Sequence, residues 1–141
     1  LLTLTGVIHY IIVQFLKIIV FDAHRPSLKF EESLSSFNLV EGIELHSHYS
    51  MPSGHTAAAF ALATILILLT KNKLLQVIYM LLAILVAISR VYLFQHFMVD
   101  TVVGATIGLL VSGIIWWYFT YKKPSILYNI NSLHRGLIFN R

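Results

Sequence analysis

Two polar residues in this apolar chain have the types and the spacing needed to transfer a phosphoryl group. His96 and Asp100 are four residues apart, which places them on one face of a helix. A carboxylate bonded to one imidazole nitrogen fixes the tautomer and leaves the other nitrogen with a directed lone pair. Such a histidine can attack phosphorus and form a phosphohistidine. Taken alone, the pair is equally consistent with a structural contact between helices.

Three fixed cations lie near the ends of apolar segments. Arg90 precedes His96 by six residues, and its planar fork matches the oxygens of a phosphate. Lys17 lies within the first apolar run, and Arg25 lies in the loop that follows it. Each has an ordinary alternative, because lysine and arginine near helix ends extend to the lipid head groups and loop arginines are solvated. Together with the histidine they predict a phosphate site.

A Pro-Ser-Gly-His tetrapeptide at residues 52–55 immediately precedes the second apolar run. Backbone N–H groups at a helix N-terminus form a ready anion site. Gly54 permits close approach of the backbone, Ser53 adds a hydroxyl, and His55 can protonate a leaving alkoxide as general acid. A Ser-Gly turn before a helix is common, so this tetrapeptide indicates a phosphate site only in combination with the histidine, aspartate and cations described above.

The composition indicates a membrane protein. The chain has 141 residues, of which 57% are hydrophobic and 11% charged, and its mean hydropathy is +0.79. Soluble domains contain about 25% charged residues. The absence of cysteine excludes a disulfide framework, a cysteine zinc site and a thiol nucleophile. The net charge of +4 is dispersed over short loops and the tail, so no nucleic-acid partner is expected.

The hydropathy pattern predicts an all-α, polytopic membrane bundle in a single domain, residues 1–141. Its four spans are predicted at residues 1–21, 56–69, 74–94 and 97–118. The second is short for a hydrocarbon layer of about 30 Å, so its start should lie below the membrane surface. A polar loop, residues 22–52, joins the first two spans, and residues 122–141 form a tail.

Basic loops predict the orientation. Lys71 and Lys73 lie in the loop that joins the second and third spans, and Lys122 and Lys123 follow the fourth span. Because basic loops stay on the cytoplasmic side, the loop and the segment after the fourth span should both be cytoplasmic. The end of the first span, the start of the second, the end of the third and the start of the fourth then all fall on the opposite, outer face. The predicted site therefore faces the periplasm or the outside, and the tail is cytoplasmic.

Other motifs carry weaker predictions. His46 and His48 form a His-x-His pair, but without a third ligand at defined spacing no metal site is expected. His9 has no evident partner. Gly104 and Gly108 form a Gly-x-x-x-Gly pattern, which in a multi-span bundle is more typical of close helix packing than of a dimer interface.

Together these residues resemble the type 2 phosphatidic acid phosphatase superfamily. Its signature has three parts: Lys-x6-Arg-Pro, Pro-Ser-Gly-His and Ser-Arg-x5-His-x3-Asp. The second is intact at residues 52–55, and the third is intact between Ser89 and Asp100. The first departs from the pattern, because seven residues separate Lys17 from Arg25. A changed helix cap or a bulge can absorb one residue at a helix end.

The resemblance implies a role for each matching residue. His96 would be the nucleophile, Asp100 its orienting partner and His55 the general acid. The phosphate would be held by Lys17, Arg25, Ser53, Gly54 and Arg90. The implied cycle needs no metal and no cofactor, because the cations and N–H groups neutralise the transferring group. Integral members usually have six spans with the site on the last four, so we expect two further N-terminal helices in the whole protein.

The expected function is hydrolysis of a phosphate monoester or diphosphate on a membrane lipid. The expected location is the bacterial inner membrane, with the site on its extracytoplasmic face. Candidate substrates implied by the resemblance are phosphatidic acid, phosphatidylglycerol phosphate, polyprenyl diphosphate and lipid A phosphate, and the sequence does not choose among them. Two alternatives stay open: a phosphotransferase with the same site, and a non-enzymatic binder or transporter of lipid phosphates. Vanadium haloperoxidases share the superfamily but are soluble, which four spans oppose. Oligomeric state is left open.

Overall fold

The structure, a computed structural model, describes residues 1–122, and every regular element in that range is helical. Helix α1 spans Leu2–Phe15 and continues as a π-helical segment, Leu16–Phe21. The remaining elements are α2 (Pro26–Lys29), a 3-10 helix (Glu31–Ser36), α3 (Gly54–Leu69), α4 (Lys73–Tyr92) and α5 (Met98–Tyr121). The predicted all-α bundle is confirmed. Most of the predicted tail lies outside the described residues.

The long helices match the predicted spans closely. The segment that contains α1, together with α4 and α5, is long and apolar enough to cross a membrane. Helix α3 has 16 residues and a length of about 24 Å, so it is the short span. Helix α4 ends two residues earlier than predicted and α5 begins one residue later. Residues 93–97 therefore form a connection outside both helices, and His96 lies in it.

Helix α3 is the centre of the bundle and packs against α5, α4 and α1. Small residues make the closest approach possible. A Cβ atom added at Gly104 would lie 2.5 Å from the Ser53 carbonyl oxygen, and one at Gly108 would overlap the Ala57 carbonyl oxygen. The Gly-x-x-x-Gly pattern therefore packs α5 against α3 within the chain. The Ser112 hydroxyl also donates to the Ala61 carbonyl oxygen at 3.1 Å.

The outer surfaces of the helices are apolar. In α4 only Ala83 is buried, whereas Leu74, Leu85 and Ile88 are exposed. Many of the buried positions at the helix contacts are small, as Ala57, Ala61 and two glycines of α5 show, beside a few large ones such as Ile65. Large apolar residues outside and small residues between helices are the distribution expected for a bundle in lipid.

The polar loop between α1 and α3 folds back on itself. The Ser50 N–H donates to the Ala23 carbonyl oxygen at 2.8 Å, and the Arg25 N–H donates to the Ser47 carbonyl oxygen at 2.8 Å. The Ser27 hydroxyl donates to the His46 carbonyl oxygen at 2.5 Å. These contacts hold the end of the loop against its beginning, next to the N-termini of α3 and α5.

Candidate active site

One cavity of about 530 Å³ lies at the end of the bundle where α1 and α4 end and α3 begins. Residues from four separate parts of the chain line it. Six of the eight predicted site residues are among them: Lys17, Arg25, Gly54, His55, Arg90 and His96. Three fixed cations, the N-terminus of α3 and the imidazoles of His55 and His96 therefore share a single cavity.

The other two predicted residues, Asp100 and Ser53, lie behind the cavity wall. Asp100 is buried, and its Oδ2 is 3.5 Å from Nδ1 of His96. The same oxygen accepts a hydrogen bond from the Phe97 N–H at 2.9 Å. This contact caps α5, so the helix begins after His96 and the pair does not share a regular helical face. Because Nδ1 lies on the Asp100 side, Nε2 is the nitrogen left for a ligand.

Ser50 supports this pair although no motif contains it. Its side chain is fully buried, and its hydroxyl donates a hydrogen bond to Oδ2 of Asp100. The same hydroxyl lies 3.5 Å from Nδ1 of His96. The carboxylate is therefore held by a serine of the polar loop as well as by the backbone of its own helix.

The environment of His96 favours its neutral form. Burial lowers the pKa of His96 most strongly, and the hydrogen bond with Asp100 opposes that shift. The positive charges of Arg25 and Lys17 lower the pKa further. Cations and burial both disfavour an imidazolium, so the net direction is downward. A neutral imidazole has the free lone pair that an attack on phosphorus requires.

The N-terminus of α3 presents its backbone to the cavity at Gly54 and His55. Ser53 is the N-cap residue, and it is fully buried. Its hydroxyl shares a 3.0 Å hydrogen bond with the Thr56 hydroxyl, and its N–H donates to the Asp100 carbonyl oxygen at 2.9 Å. In this arrangement Ser53 fixes the turn against α5, while Gly54 and His55 face the ligand space.

Arg90 is oriented by two neighbouring side chains. Its Nε donates to the Ser89 hydroxyl at 3.2 Å, and its Nη1 donates to Oε1 of Gln95 at 3.1 Å. The hydrogen bond to Ser89 thus explains why a serine next to the arginine is useful in the third motif, since it fixes the position of the arginine Nε. The remaining N–H groups are left for an anion.

Arg25 ties the polar loop to the turn that carries His96. Its Nε donates to the His48 carbonyl oxygen at 2.9 Å, and its Nη1 donates to the Gln95 carbonyl oxygen at 3.2 Å. Both acceptors are backbone groups, so the guanidinium keeps its full charge without a carboxylate partner. Its other donors remain for the cavity.

The π-helical segment accounts for the extra residue after Lys17. The Asp22 N–H donates to the Lys17 carbonyl oxygen at 3.2 Å, five residues back, and Asp22 adopts a left-handed conformation with φ of 34°. A π-turn holds one more residue than an α-turn. Of the two accommodations that the sequence allows, a changed cap or a bulge, the structure has a π-helical segment that ends in a left-handed residue, and Lys17 and Arg25 both line the cavity.

The chain also matches a protein-family model. The model of the PAP2 superfamily matches residues 1–124, which is most of the chain. The chain belongs to the PAP2 superfamily.

Two curated PAP2-type relatives come from bacilli. Phosphatidylglycerophosphatase B of Bacillus subtilis is 39% identical over 78 residues, covering 49% of this chain and 38% of that protein. Bacitracin transport permease protein BcrC of Bacillus licheniformis is 28% identical over 134 residues, covering 95% of this chain and 63% of that protein. The chain thus spans less than two thirds of either relative.

A solved structure has the same fold. The crystal structure of Aquifex aeolicus LpxE aligns with a TM-score of 0.67 and 32% identity, covering 83% of this chain and 66% of that one. With its three long apolar helices and these bacterial relatives, the PAP2 chain is an integral membrane protein.

Several cavity residues of this PAP2 chain were not assigned a role from the sequence: His9, Tyr10, Gln14, His46 and Gln95. The α1 residues share the helix face of Lys17, and polar side chains in an apolar span are a signal that could have found them. His46 and Gln95 reach the cavity through loop packing, which carries no periodic signal. Within residues 1–122, no three side chains of His, Cys, Asp or Glu come together as a metal site.

Proposed function

We propose that this chain carries the active site of a membrane lipid phosphatase that hydrolyses a phosphate monoester or diphosphate through a phosphohistidine on His96. The observation that carries the proposal is the placement of His96. Its Nδ1 is on the side of Asp100 and Ser50, and the ring borders a cavity that contains three fixed cations. An oriented, neutral imidazole beside a cationic anion site is suited to attack on phosphorus.

In the first step, Nε2 of His96 attacks the phosphorus atom and the bond from phosphorus to the lipid oxygen breaks. Lys17, Arg25 and Arg90 stabilise the charge on the three non-bridging oxygens, together with the N–H groups at the start of α3. His55 gives a proton to the departing oxygen, which belongs to an alkoxide in a monoester and to the remaining lipid phosphate in a diphosphate.

In the second step, water attacks the phosphohistidine and the N–P bond breaks. His55, now neutral, accepts a proton from that water, so it returns to its starting state. Orthophosphate leaves and His96 is free again. Asp100 stabilises the positive charge that the ring carries in the intermediate, and Ser50 positions the carboxylate.

The membrane context supports a lipid substrate. The cavity opens at the end of a short span, where the head group of a lipid can enter while its chain stays among the apolar helices. A relative named phosphatidylglycerophosphatase B supports a phosphorylated lipid as substrate class. The basic loops at Lys71 and Lys73 support an extracytoplasmic site, since they lie at the opposite end of α3 and α4. We assign the bacterial inner membrane accordingly.

The test is phosphate release in detergent with excess EDTA from a panel of lipid phosphates. Release by wild type should survive EDTA and fall by at least about three orders of magnitude in His96→Ala, since a covalent nucleophile is lost. His24→Ala is the matched control, because His24 is exposed and does not line the cavity. An acid-labile, alkali-stable phosphoryl label on wild type should be absent from His96→Ala. Equal activity of wild type and His96→Ala would refute the mechanism.

One observation favours a second candidate, a transporter of lipid phosphates. The relative that covers most of this chain is named a bacitracin transport permease protein. A transporter needs the cations but no nucleophile. It would bind a lipid phosphate without release, and His96→Ala would weaken binding without any turnover to lose. A phosphotransferase differs from the phosphatase only in the acceptor, and it would transfer phosphate to an added alcohol in preference to water.

A further inference from the structure

Three polar side chains of α1 border the cavity but have no part in the proposed cycle. His9, Tyr10 and Gln14 lie one to two turns before Lys17, and all of them line the same cavity as the phosphate-binding cations. Polar side chains in an apolar span are costly and usually mark a ligand path. We refer to these three residues as the α1 polar row.

His9 presents a hydrogen-bond acceptor to the cavity. Its Nδ1 is 3.1 Å from the Thr5 carbonyl oxygen. A carbonyl oxygen can only accept, so Nδ1 carries the hydrogen. In the neutral ring Nε2 is then an acceptor with a free lone pair. The backbone of α1 thus fixes which atom of His9 is available to a ligand.

Tyr10 and Gln14 complete the row with donors and one acceptor. Nε2 of Gln14 donates to the Tyr10 hydroxyl at 3.1 Å. The Tyr10 hydrogen is therefore free to donate elsewhere, and Oε1 of Gln14 is free to accept. The second N–H of Gln14 is also a free donor, so together with His9 the row offers two acceptors and two donors, and it carries no fixed charge.

This pattern does not suit a second phosphate. An anion needs donors and positive charge, which Lys17, Arg25 and Arg90 supply at the other end of the cavity. Hydroxyl groups both donate and accept, so they match a neutral row that has both acceptors and donors.

The cavity continues towards an apolar one. A second cavity of about 160 Å³ lies between α1 and α3, and it shares His9 and Ala58 with the first. Its other lining residues include Leu2, Gly6 and Ala61, which are apolar or small. From the end of α1 towards its start, the cavity therefore passes from the cations to the neutral α1 polar row and then to the apolar cavity.

We propose that the α1 polar row binds the hydroxyl groups of a polyol that lies between the transferred phosphate and the apolar chain of the substrate. The substrate class is then a lipid whose phosphate is carried by glycerol or a sugar, and a prenyl diphosphate fits less well. This inference rests on the proposed function, because it takes the cationic end of the cavity as the phosphate site.

The experiment compares two lipids that differ in one hydroxyl group. The first is phosphatidylglycerol phosphate. The second is its analogue with propane-1,3-diol in place of the phosphorylated glycerol. Wild type should prefer the first by about three- to tenfold in kcat/KM, the effect of one neutral hydrogen bond. His9→Phe and Gln14→Leu should each reduce that ratio towards one, mainly by raising KM for the first lipid. Ile11→Val, on the exposed side of α1, should leave the ratio unchanged.

Equal use of the two lipids by wild type would overturn the inference, and so would variants that keep the wild-type ratio. Failure of the proposed function gives a different result, namely no release from either lipid. In that case the affinity of the purified protein for the same two lipids decides the inference. A preference for the hydroxyl-bearing lipid that His9→Phe removes supports it, and equal affinities overturn it.

Discussion

Replacing Gly104 of α5 by alanine should displace Ser53 at the start of α3, which packs against it, and so disturb the candidate site. The added Cβ would lie 2.5 Å from the Ser53 carbonyl oxygen and 3.4 Å from the Ala57 nitrogen. A close carbon–oxygen contact is about 3.3 Å, so the two backbones must separate by roughly 0.8 Å. Both neighbours are backbone atoms, which cannot rotate away as a flexible side chain can.

The shift should reach the chemistry because Ser53 is hydrogen-bonded on both sides. Its carbonyl oxygen accepts from the Ala57 N–H, and its own N–H donates to the Asp100 carbonyl oxygen. Overpacking of this kind costs about 1–3 kcal/mol of folding free energy. A displacement of about 1 Å at a positioned group can lower the rate about 100-fold. We therefore expect Gly104→Ala to be less stable and to lose most of its kcat.

Two other glycines of α5 serve as controls, with phosphate release and thermal unfolding in detergent as the assays. Gly113 has nothing within 4 Å of an added Cβ, so Gly113→Ala should match wild type or gain up to about 1 kcal/mol from helix propensity. Gly108 meets Ala57 and Ala61 one turn further from the site, so Gly108→Ala should lose stability with a smaller loss of kcat. A Gly104→Ala protein as stable and active as Gly113→Ala would refute the reasoning.

Three further predictions concern the π-helical segment, the serine behind the aspartate and the pH profile. Deleting Ile19 should convert the π-turn to an α-turn and keep activity within about threefold. Deleting Leu82 from the regular helix α4 is the control, because it rotates the rest of that helix by about 100° and should abolish activity. Equal loss of activity in the two variants would contradict the role of the π-helical segment. Ser50→Ala removes a hydrogen bond to a carboxylate and should lower kcat about 10- to 100-fold with little change in KM, while an unchanged kcat would exclude a positioning role for the contact with Asp100. Burial and nearby cations lower the pKa of His96, so kcat/KM should be maintained above that pKa and fall as acid protonates the ring. The midpoint of the fall should lie below the ordinary pKa of histidine. A midpoint at or above that pKa would contradict the role of His96 as nucleophile.

The spans and the meeting of the motifs were predictable from the sequence. Long apolar runs with few charges have one favourable arrangement in lipid, so α4 and α5 were located to within three residues. The orientation predicted from the basic loops then placed the end of α1, the start of α3, the end of α4 and the start of α5 on one side. The bulge after Lys17 was open to prediction because one surplus residue needs a defined local accommodation.

The packing of the polar loop was not predictable in the same way. Ser50 reaches Asp100 across 50 residues, and Arg25 reaches the Gln95 backbone across 70. Such contacts depend on how the loop folds back, and no periodicity in its sequence reports this. The start of α5 was also missed by one residue, because Asp100 caps the helix after His96 instead of sharing a regular helical face with it.

The hydrogen bonds of Arg25 suggest that the helices and the polar loop reach their final positions in two separate stages. The helices satisfy their own backbone groups, so they can insert and pack while the loop is still loose. Arg25, by contrast, gains its position only when the backbones at His48 and Gln95 have both come to it. If the proposed function holds, a chain with all of its helices in place should stay inactive until its polar loop has docked and Arg25 has reached the backbones at His48 and Gln95.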